Sequence, residues 1–385
     1  MTIQTIPKKK RILLHVGLHK TASTYIQKSL AQSLQSLRKQ GWNYPIYSDG
    51  KRKGMTNHSN LLYTLYSEEI SSYVPNLQSR VTNQELFKRY KKVLDRELQS
   101  DFNLILSGED VSSLSKASLH KLAKELEPYN VTVIAFVRET YSHLCSSLQH
   151  RIHRGVHGLT LEVPNLSHNC SRLKEVFPDI RFYSYERVKQ QNNGFIKIFS
   201  KHCKISIKTA NSNLLANESL GNKTIRFLAE FNLYYPLINS DKKLNPKRPS
   251  FIAKKLDFDL NKFLLTKQEY TTIERQIKLE NRRLSSCTGL QVRTISPIPL
   301  ADESDLTWNE AMRLLTKTST MPTTLAYRAL IYVLQQKSGL KIYRIIRPCV
   351  YFLLFNYKTT IHIKNLFEDS RNFRKKIFGA RNQKF

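Results

Sequence analysis

The sequence predicts an α/β fold, in which a mostly parallel central sheet is flanked by helices. Apolar runs with the length of buried strands recur in the first half of the chain: ILLHVGL (12–18), WNYPIY (42–47), LILSG (104–108), VTVIAFV (131–137) and IRFYSY (180–185). Helix-like segments lie between these runs, at 23–40, 83–99, 115–127, 139–153 and 194–203. Strands that alternate with helices form parallel sheets covered on both faces. With 385 residues, 40% of them hydrophobic, the chain can bury a sizeable core.

The sequence pattern indicates some of these strands more clearly than others. WNYPIY is the weakest of the strands, whereas the other four are short apolar runs of the kind that parallel sheets bury. The rest of the chain is assigned as a polar excursion at 48–82 with a short helix near 58–67, a helix at 217–233, a basic loop at 236–250, an irregular stretch at 284–310 and helices at 311–385. We therefore predict an α/β domain at 1–310 and a basic, helical C-terminal extension at 311–385.

Charge and cysteine content restrict the possible partners and location. Lys and Arg number 62 against 30 Asp and Glu, a formal net charge of +32, which favours an anionic partner such as a nucleotide, an acidic glycan or an anionic membrane surface. Five scattered cysteines without a CxxC pair disfavour a disulfide framework or a zinc site and favour a reducing, cytoplasmic location. The apolar part of the N-terminus is short and interrupted by His15, so it is assigned as a strand and not as a signal peptide.

Functional residues are expected where the strands end. Ligands of parallel sheets bind beyond the carboxyl ends of the strands, and Lys20, Glu109, Arg138 and Glu186 all follow predicted strands. In HVGLHKTASTYIQ (15–27) a lysine and hydroxyl residues stand between a strand and a helix, where unpaired N–H groups and the helix dipole attract anions. The segment thus predicts a phosphate site, with an ordinary capped helix as the alternative. The pattern GxxxxGK[ST] of nucleoside triphosphatases is absent.

A second anion site is predicted in VIAFVRETYSHLCSSLQHRI (133–152). Arg138 ends a buried strand, and Ser146 follows eight residues later, about two helical turns onward. A guanidinium and a hydroxyl together suit a dianionic phosphate. Ser147 is the alternative hydroxyl, and a surface Arg–Glu pair with a solvated serine is the alternative interpretation.

These motifs resemble the sulfotransferases that use 3′-phosphoadenosine 5′-phosphosulfate (PAPS). HVGLHKTAST is similar to their 5′-phosphosulfate-binding loop, HxGxHKTGTT in bacterial members, and the arginine with a serine eight residues later is similar to their 3′-phosphate motif. The resemblance covers roughly residues 10–235 and more loosely continues to about 312. It implies a fold like that of the P-loop nucleoside triphosphate hydrolases and PAPS as co-substrate. The residues that it implies for nucleotide binding are Lys20, Thr21, Ala22, Ser23, Thr24, Arg138, Ser146 and Tyr185.

One departure concerns Ala22, which stands where the family has glycine. A methyl group fits there if the backbone is helical, but it would crowd a closely approaching phosphate. Tyr185, in FYSYERV, lies where the family places a tyrosine near the nucleotide base; a buried sheet tyrosine is the alternative. Lys247 and Arg248, in NPKRPS, are further candidates for the 3′-phosphate, or else belong to a solvated loop.

The expected reaction is in-line transfer of a sulfuryl group to a hydroxyl of a carbohydrate, polysaccharide or glycolipid, without a metal. Lys20 would neutralise charge on the leaving phosphate oxygen. Glu109 is the first candidate for the general base and His58 the second; Asp110 could share the role. A carboxylate that balances a helix dipole and a solvent-exposed histidine at a helix start are the respective alternatives.

The segment HRIHRGVHG, with His150, His153 and His157, is expected to border the acceptor cleft and to suit an anionic acceptor. The basic and aromatic residues at 341–385 suit either peripheral contact with an anionic membrane or a helix docked on the protein's own core. A non-catalytic protein that binds anions or membrane surfaces on the same scaffold is the rival function. No nucleic-acid partner is expected, because no recognisable reading motif is present.

Overall fold

The computed structural model of the protein describes residues 9–71, 73, 75–76, 81–155, 158–207, 220–234, 236–238, 243, 245, 262–294 and 296–301. All of these belong to one of two structural units, which comprises Met1–Ala253 and Asp259–Asp305. The predictions for the extension at 311–385, the membrane contact through 341–385, the boundary at 310 and the residues His157, Lys247 and Arg248 lie outside the described residues.

Five strands form one sheet: β1 Arg11–Val16, β2 Trp42–Asn43, β3 Asn103–Gly108, β4 Asn130–Val137 and β5 Arg181–Ser184. Their order is β2-β3-β1-β4-β5, and every neighbouring pair is parallel. The prediction of a parallel sheet flanked by helices is confirmed, and all five predicted strands are present. The central β1 is buried along nearly its whole length, as its almost continuous apolar sequence requires.

The described helices cover both faces of this sheet. They are α1 Ser23–Gln32, α2 Leu34–Lys39, α3 Ser59–Tyr66, α4 Asn83–Gln99, α5 Lys116–Leu126, α6 Thr140–His153, α7 Leu166–Val176, α8 Tyr185–Gln190, α9 Gly194–Cys203, α10 Asn222–Tyr234 and α11 Lys267–Thr288, with a 3₁₀ helix at Glu109–Ser113. Side-chain caps fix several starts: Thr82 accepts the Glu85 N–H before α4, and Ser115 accepts the Ser118 N–H before α5.

Several helical segments differ from the sequence prediction, and the helices α7 and α8 were not predicted. The helix predicted at 23–40 is divided at Ser33, whose N–H donates to the carbonyls of both Ser29 and Leu30. The long helix α11 was not predicted, and the stretch taken as irregular from residue 284 is helical as far as Thr288. A capping box of Thr266 and Glu269 starts α11.

The core consists of two layers, one on each face of the sheet. Alternate residues of β1 point to opposite faces: Ile12, Leu14 and Val16 pack with α3, α4 and α5, whereas Leu13 packs with α1 and α9. Full burial of each such side chain contributes about 2 kcal/mol. A smaller cluster of Leu18, Val137, Leu166, Cys170 and Leu284 lies near the ends of β1 and β4. Among the helices described, none is both long and apolar enough to cross a bilayer.

Candidate functional site at the carboxyl edge of the sheet

The candidate site lies at the edge where the parallel strands end. Val16 of β1 pairs in register with Gly108 of β3, and β4 lies on the other side of β1. Since the strands run in one direction, the segments that follow them meet at this edge. Lys20 follows β1, Arg138 follows β4, and Glu109 follows β3.

The backbone between β1 and α1 is left-handed at two positions. Lys20 has a φ of 64° and Ala22 a φ of 68°, whereas Thr21 between them has no positive φ. Backbone that alternates in this way turns successive N–H groups toward one side and forms a concave anion-binding surface. Within the described chain, no N–H group from Lys20 to Tyr25 is bonded to another backbone group. These donors, together with the first turn of α1, are available to an anion.

The conformation of Ala22 corrects the expectation that its methyl group would fit a helical backbone. Ala22 precedes α1 with φ 68° and ψ 16°, in the left-handed region. This conformation brings the Cβ atom of an L-residue too close to its own carbonyl oxygen, and glycine avoids that cost. The loop therefore carries local backbone strain at the position where the resemblance predicts glycine.

The three hydroxyl residues of the loop have different surroundings. Thr21 is fully buried, and its Oγ1 donates to the Leu18 carbonyl oxygen, so its hydroxyl serves the turn itself. Ser23 is 3% exposed, and its Oγ has no hydrogen-bond partner among the described residues. Thr24 is exposed in the first turn of α1. A buried hydroxyl without a partner costs about 1–3 kcal/mol, so Ser23 is the strongest candidate for a ligand contact.

Gly17 allows this packing. A Cβ atom at Gly17 would lie 2.9 Å from Ser23 Oγ and 3.1 Å from Glu109 Cβ. The glycine thus lets the Ser23 hydroxyl and Glu109 approach the end of β1 together.

Lys20 and Arg138 lie side by side. The Arg138 Nη1 donates to the Lys20 carbonyl oxygen at 3.0 Å. The Lys20 ammonium makes no hydrogen bond or ion pair with any described residue. Burial lowers the pKa of Lys20, Glu109 opposes this, and the charges of Arg138 and Arg154 lower it further. An arriving anion would relieve the repulsion among these cations.

The environment of Arg138 partly differs from the prediction. Its Nε donates to Ser142 Oγ at 2.9 Å, one helical turn before Ser146. Ser146 and Ser147 are half-buried on α6 and make no hydrogen bond to Arg138 in this arrangement. The Tyr185 ring lies against the guanidinium, 4.7 Å from its centroid to Cζ. Tyr185 thus holds the arginine, a contact that neither sequence interpretation included.

The start of α6 is held in place by two carboxylates, of which Glu139 is buried and Glu186 half-buried. Glu139 accepts the N–H groups of Tyr141 and Ser142, at 2.9 and 2.8 Å, and is 2% exposed. It also accepts hydrogen bonds from Asn281 of α11 and from Thr294. Glu186 in turn accepts the Glu139 N–H. Glu139 and Glu186 therefore fix the strand end that carries Arg138.

The two carboxylates after β3 lie close to His19. His19 Nε2 is 3.0 Å from Asp110 Oδ1, and His19 Nδ1 is 3.9 Å from Glu109 Oε2. Tyr73 donates its hydroxyl proton to the other Asp110 oxygen. The sequence interpretation assigned no role to His19. Its position directly before Lys20 in the loop was the feature that could have indicated one. Glu109 is half-buried at the edge of the sheet, so it remains a candidate base.

His58 is fully buried, which corrects the expectation of an exposed helix start and argues against its role as the base. Its Nε2 is 2.8 Å from the Pro45 carbonyl oxygen, and its Nδ1 accepts the Ser107 N–H at 2.9 Å. Burial lowers the pKa of His58 to about 4. Neither nitrogen is free for proton transfer, so His58 joins α3 to β3 and has a structural role.

Further cations surround the edge. Partial burial and the charges of Lys189 and Arg138 lower the pKa of Lys262, which places this lysine near the guanidinium. At the end of α6, Arg154 lies close enough to Lys20 for their charges to interact. Partial burial and the charges of Lys20 and Arg154 lower the pKa of the neighbouring His150 to about 3, so His150 is neutral near pH 7. Lys262 was missed because its proximity arises only through the fold. No group of three or more potential metal ligands is found among the residues that the structure describes.

No family model matches this chain, and no curated protein matches it.

Proposed function

We propose that the protein is a PAPS-dependent sulfotransferase that acts on a hydroxyl, most simply that of a carbohydrate or glycolipid. The observation that carries this proposal is the direct contact of the Lys20 loop with Arg138 on neighbouring strand ends. Two cationic groups so placed can bind the two phosphates of one adenosine nucleotide. The central sheet is parallel, as in P-loop-like folds, and we extend the proposal to that fold class.

The residues at the edge fit such a nucleotide. The unbonded N–H groups from Lys20 to Tyr25, the unpartnered Ser23 hydroxyl and the free Lys20 ammonium suit the 5′-phosphosulfate. Arg138, with Ser142 and the nearby Lys262, suits the 3′-phosphate; Ser146 stays a predicted contact on the same helix. When bound, the nucleotide supplies the sulfuryl group.

The protein's own groups then have separate roles. Glu109 accepts the proton of the acceptor hydroxyl, and Lys20 stabilises the negative charge that develops on the leaving phosphate oxygen. Arg154 borders the same edge and favours an acceptor with a negative charge, whereas the lowered pKa of His150 leaves that ring neutral near pH 7. The cytoplasmic location and the membrane contact through 341–385 stay predictions.

Calorimetric titration with 3′-phosphoadenosine 5′-phosphate tests the nucleotide site. We expect Arg138→Ala to weaken binding about 30- to 100-fold, because charge-assisted hydrogen bonds to a phosphate are lost. The control Arg89→Ala removes an exposed arginine that pairs with Glu85 on α4 and should leave binding unchanged. Equal binding by wild type and Arg138→Ala would remove Arg138 from the site.

Sulfuryl transfer from labelled PAPS to a panel of glycans tests the reaction. Lys20→Ala should abolish turnover, whereas Lys28→Ala, which changes an exposed lysine on α1, should not. Glu109→Gln should retain nucleotide binding and lose turnover by about 100-fold or more.

The net charge of +32 favours a second candidate, a non-catalytic protein that binds polyanions or anionic membranes. That function would survive Lys20→Ala and Arg138→Ala and would be abolished by salt. Binding of anionic vesicles that both variants retain, with no transfer activity in the wild type, would favour this alternative.

A further inference from the structure

His19 connects the phosphate loop to the carboxylates after β3. The ring is 43% exposed, while the side chains of Glu109 and Asp110 are 24% and 19% exposed. Within the described residues, His19 is the one basic side chain within ion-pair distance of Glu109. Glu109 thus depends on His19 for its charged contact.

Charged and titratable groups face His19 from several elements. Lys20 lies beside it in the loop, Glu109 and Asp110 face it from the 3₁₀ helix, and His143 and His150 face it from α6, where the lowered pKa of His150, about 3, leaves that ring neutral. Tyr73 fixes the far oxygen of Asp110. His143 is 3% exposed, and burial lowers its pKa to about 3, so it is neutral and does not compete for the carboxylates.

The balance of these groups favours the charged imidazolium. Partial burial and Lys20 lower the pKa of His19, but the Asp110 hydrogen bond and the charges of Glu109 and Asp110 outweigh them and raise it to about 9. The same hydrogen bond lowers the pKa of Asp110, although burial opposes it. Near neutrality the cluster is therefore one cation between two carboxylates.

We propose that His19 is the positioning residue for Glu109: its imidazolium is anchored by Asp110 and holds the Glu109 carboxylate at the reacting edge. This inference rests on the proposed function, in which Glu109 takes the acceptor proton. Because His19 precedes Lys20 directly, the bridge also fixes the distance between the group that removes the proton and the loop that holds the donor. Asp110 is thereby an anchor and not a second base.

Proton NMR titration of the full-length protein tests the bridge without any activity. His19 should titrate near pH 9 in the wild type and at lower pH in Asp110→Asn, because the bonded carboxylate is lost. The exposed His120 on α5 is the control, with its resonance assigned through His120→Gln. At each pH this resonance should be the same in the wild type and in Asp110→Asn. A wild-type His19 that titrates at the ordinary histidine value would overturn the proposal.

Kinetics test whether His19 acts through Glu109. His19→Gln should lower kcat about 10- to 100-fold, since misplacement of a reacting group has costs of this size, while donor binding stays within about twofold. In the Glu109→Gln background the same substitution should cause no further loss. Additive losses in the double variant would overturn a role through Glu109.

The pH dependence separates this role from a merely structural one. The imidazolium is fully present below its ordinary pKa and is lost as pH rises through about 9, so kcat should fall there. In His19→Lys, which keeps the positive charge, this alkaline limb should move to higher pH. A limb that stays in place would contradict the proposal.

The two levels of the proposal fail separately. A wild-type protein without transfer activity would contradict the proposed function, while the NMR titration still decides whether His19 pairs with Asp110. An active wild type whose kcat is unchanged in His19→Gln sinks the positioning role alone.

Discussion

Replacement of Ala22 by glycine should stabilise the protein, although the change removes a methyl group. Ala22 has φ 68° and ψ 16°, and the left-handed conformation costs an L-residue about 1–2 kcal/mol. Glycine loses more conformational entropy on folding, which offsets about 0.5–1 kcal/mol of this gain. Ala22 is also the N-cap of α1, where glycine is preferred to alanine. The net stabilisation is about 0.5–1 kcal/mol.

Differential scanning calorimetry measures this effect. A gain of that size should raise Tm by about 1 °C in a protein of 385 residues. Ala123→Gly is the matched control, because Ala123 lies inside α5 in regular helix, where glycine costs about 1 kcal/mol. The same substitution, alanine to glycine, should therefore raise the stability at residue 22 and lower it at residue 123.

The result that refutes the reasoning is a loss of stability in Ala22→Gly as large as that in Ala123→Gly. The backbone at residue 22 would then be right-handed in solution, and the anion-binding shape inferred for the loop would be wrong. Calorimetric titration with 3′-phosphoadenosine 5′-phosphate adds a second readout: Ala22→Gly should bind at least as tightly as the wild type, because the left-handed loop is kept.

Three further predictions concern other parts of the structure. Burial lowers the pKa of His58 to about 4, so the unfolded chain protonates this histidine at a higher pH than the folded protein does. Up to about 3 kcal/mol of stability should therefore be lost as pH falls from about 6.5 to 4. Urea unfolding at both pH values should show a smaller loss in His58→Gln than in the wild type, and an equal loss would contradict the structural role of His58. Ser142→Ala should weaken binding of 3′-phosphoadenosine 5′-phosphate about 3- to 10-fold through the lost Arg138 contact, measured by calorimetry; an unchanged Kd would show that Arg138 needs no hydroxyl partner. Among the four described cysteines, iodoacetamide should modify Cys287 first, because Cys287 is partly exposed and its contact with Cys170 lowers its pKa. Burial raises the pKa of Cys145 to about 11 and that of Cys203 to about 12. Peptide mass spectrometry that finds Cys203 modified first would contradict this order.

The parallel sheet was predictable because each of its strands can be recognised from a short stretch of sequence. Buried parallel strands are continuous apolar runs, and β1 and β4 have this pattern. The strand ends then indicated where Lys20 and Arg138 would meet. By contrast, α11 was missed although Tyr270, Ile273, Ile277 and Leu284 recur at helical spacing, because most of the segment is polar.

The details of the site depend on contacts that no local pattern shows. A histidine beside a lysine could be exposed, and only the fold brings Asp110 to His19. His58 was a plausible base by residue type, but its burial comes from Tyr44 and Tyr47, whose rings enclose it. The sign of φ at Ala22 is likewise set by the turn from β1 into α1.

The brace of Glu139 has a consequence for how the protein matures during synthesis. Its partner Asn281 lies 142 residues further along the chain, and Thr294 lies 155 residues away. Domains emerge from the ribosome in order, so the sheet can assemble long before these two residues exist. A nascent chain that ends before residue 281 lacks both of these side chains, although it already contains Glu186. The fixed position of Arg138 should therefore arise late in translation, as a separate event after the sheet has formed.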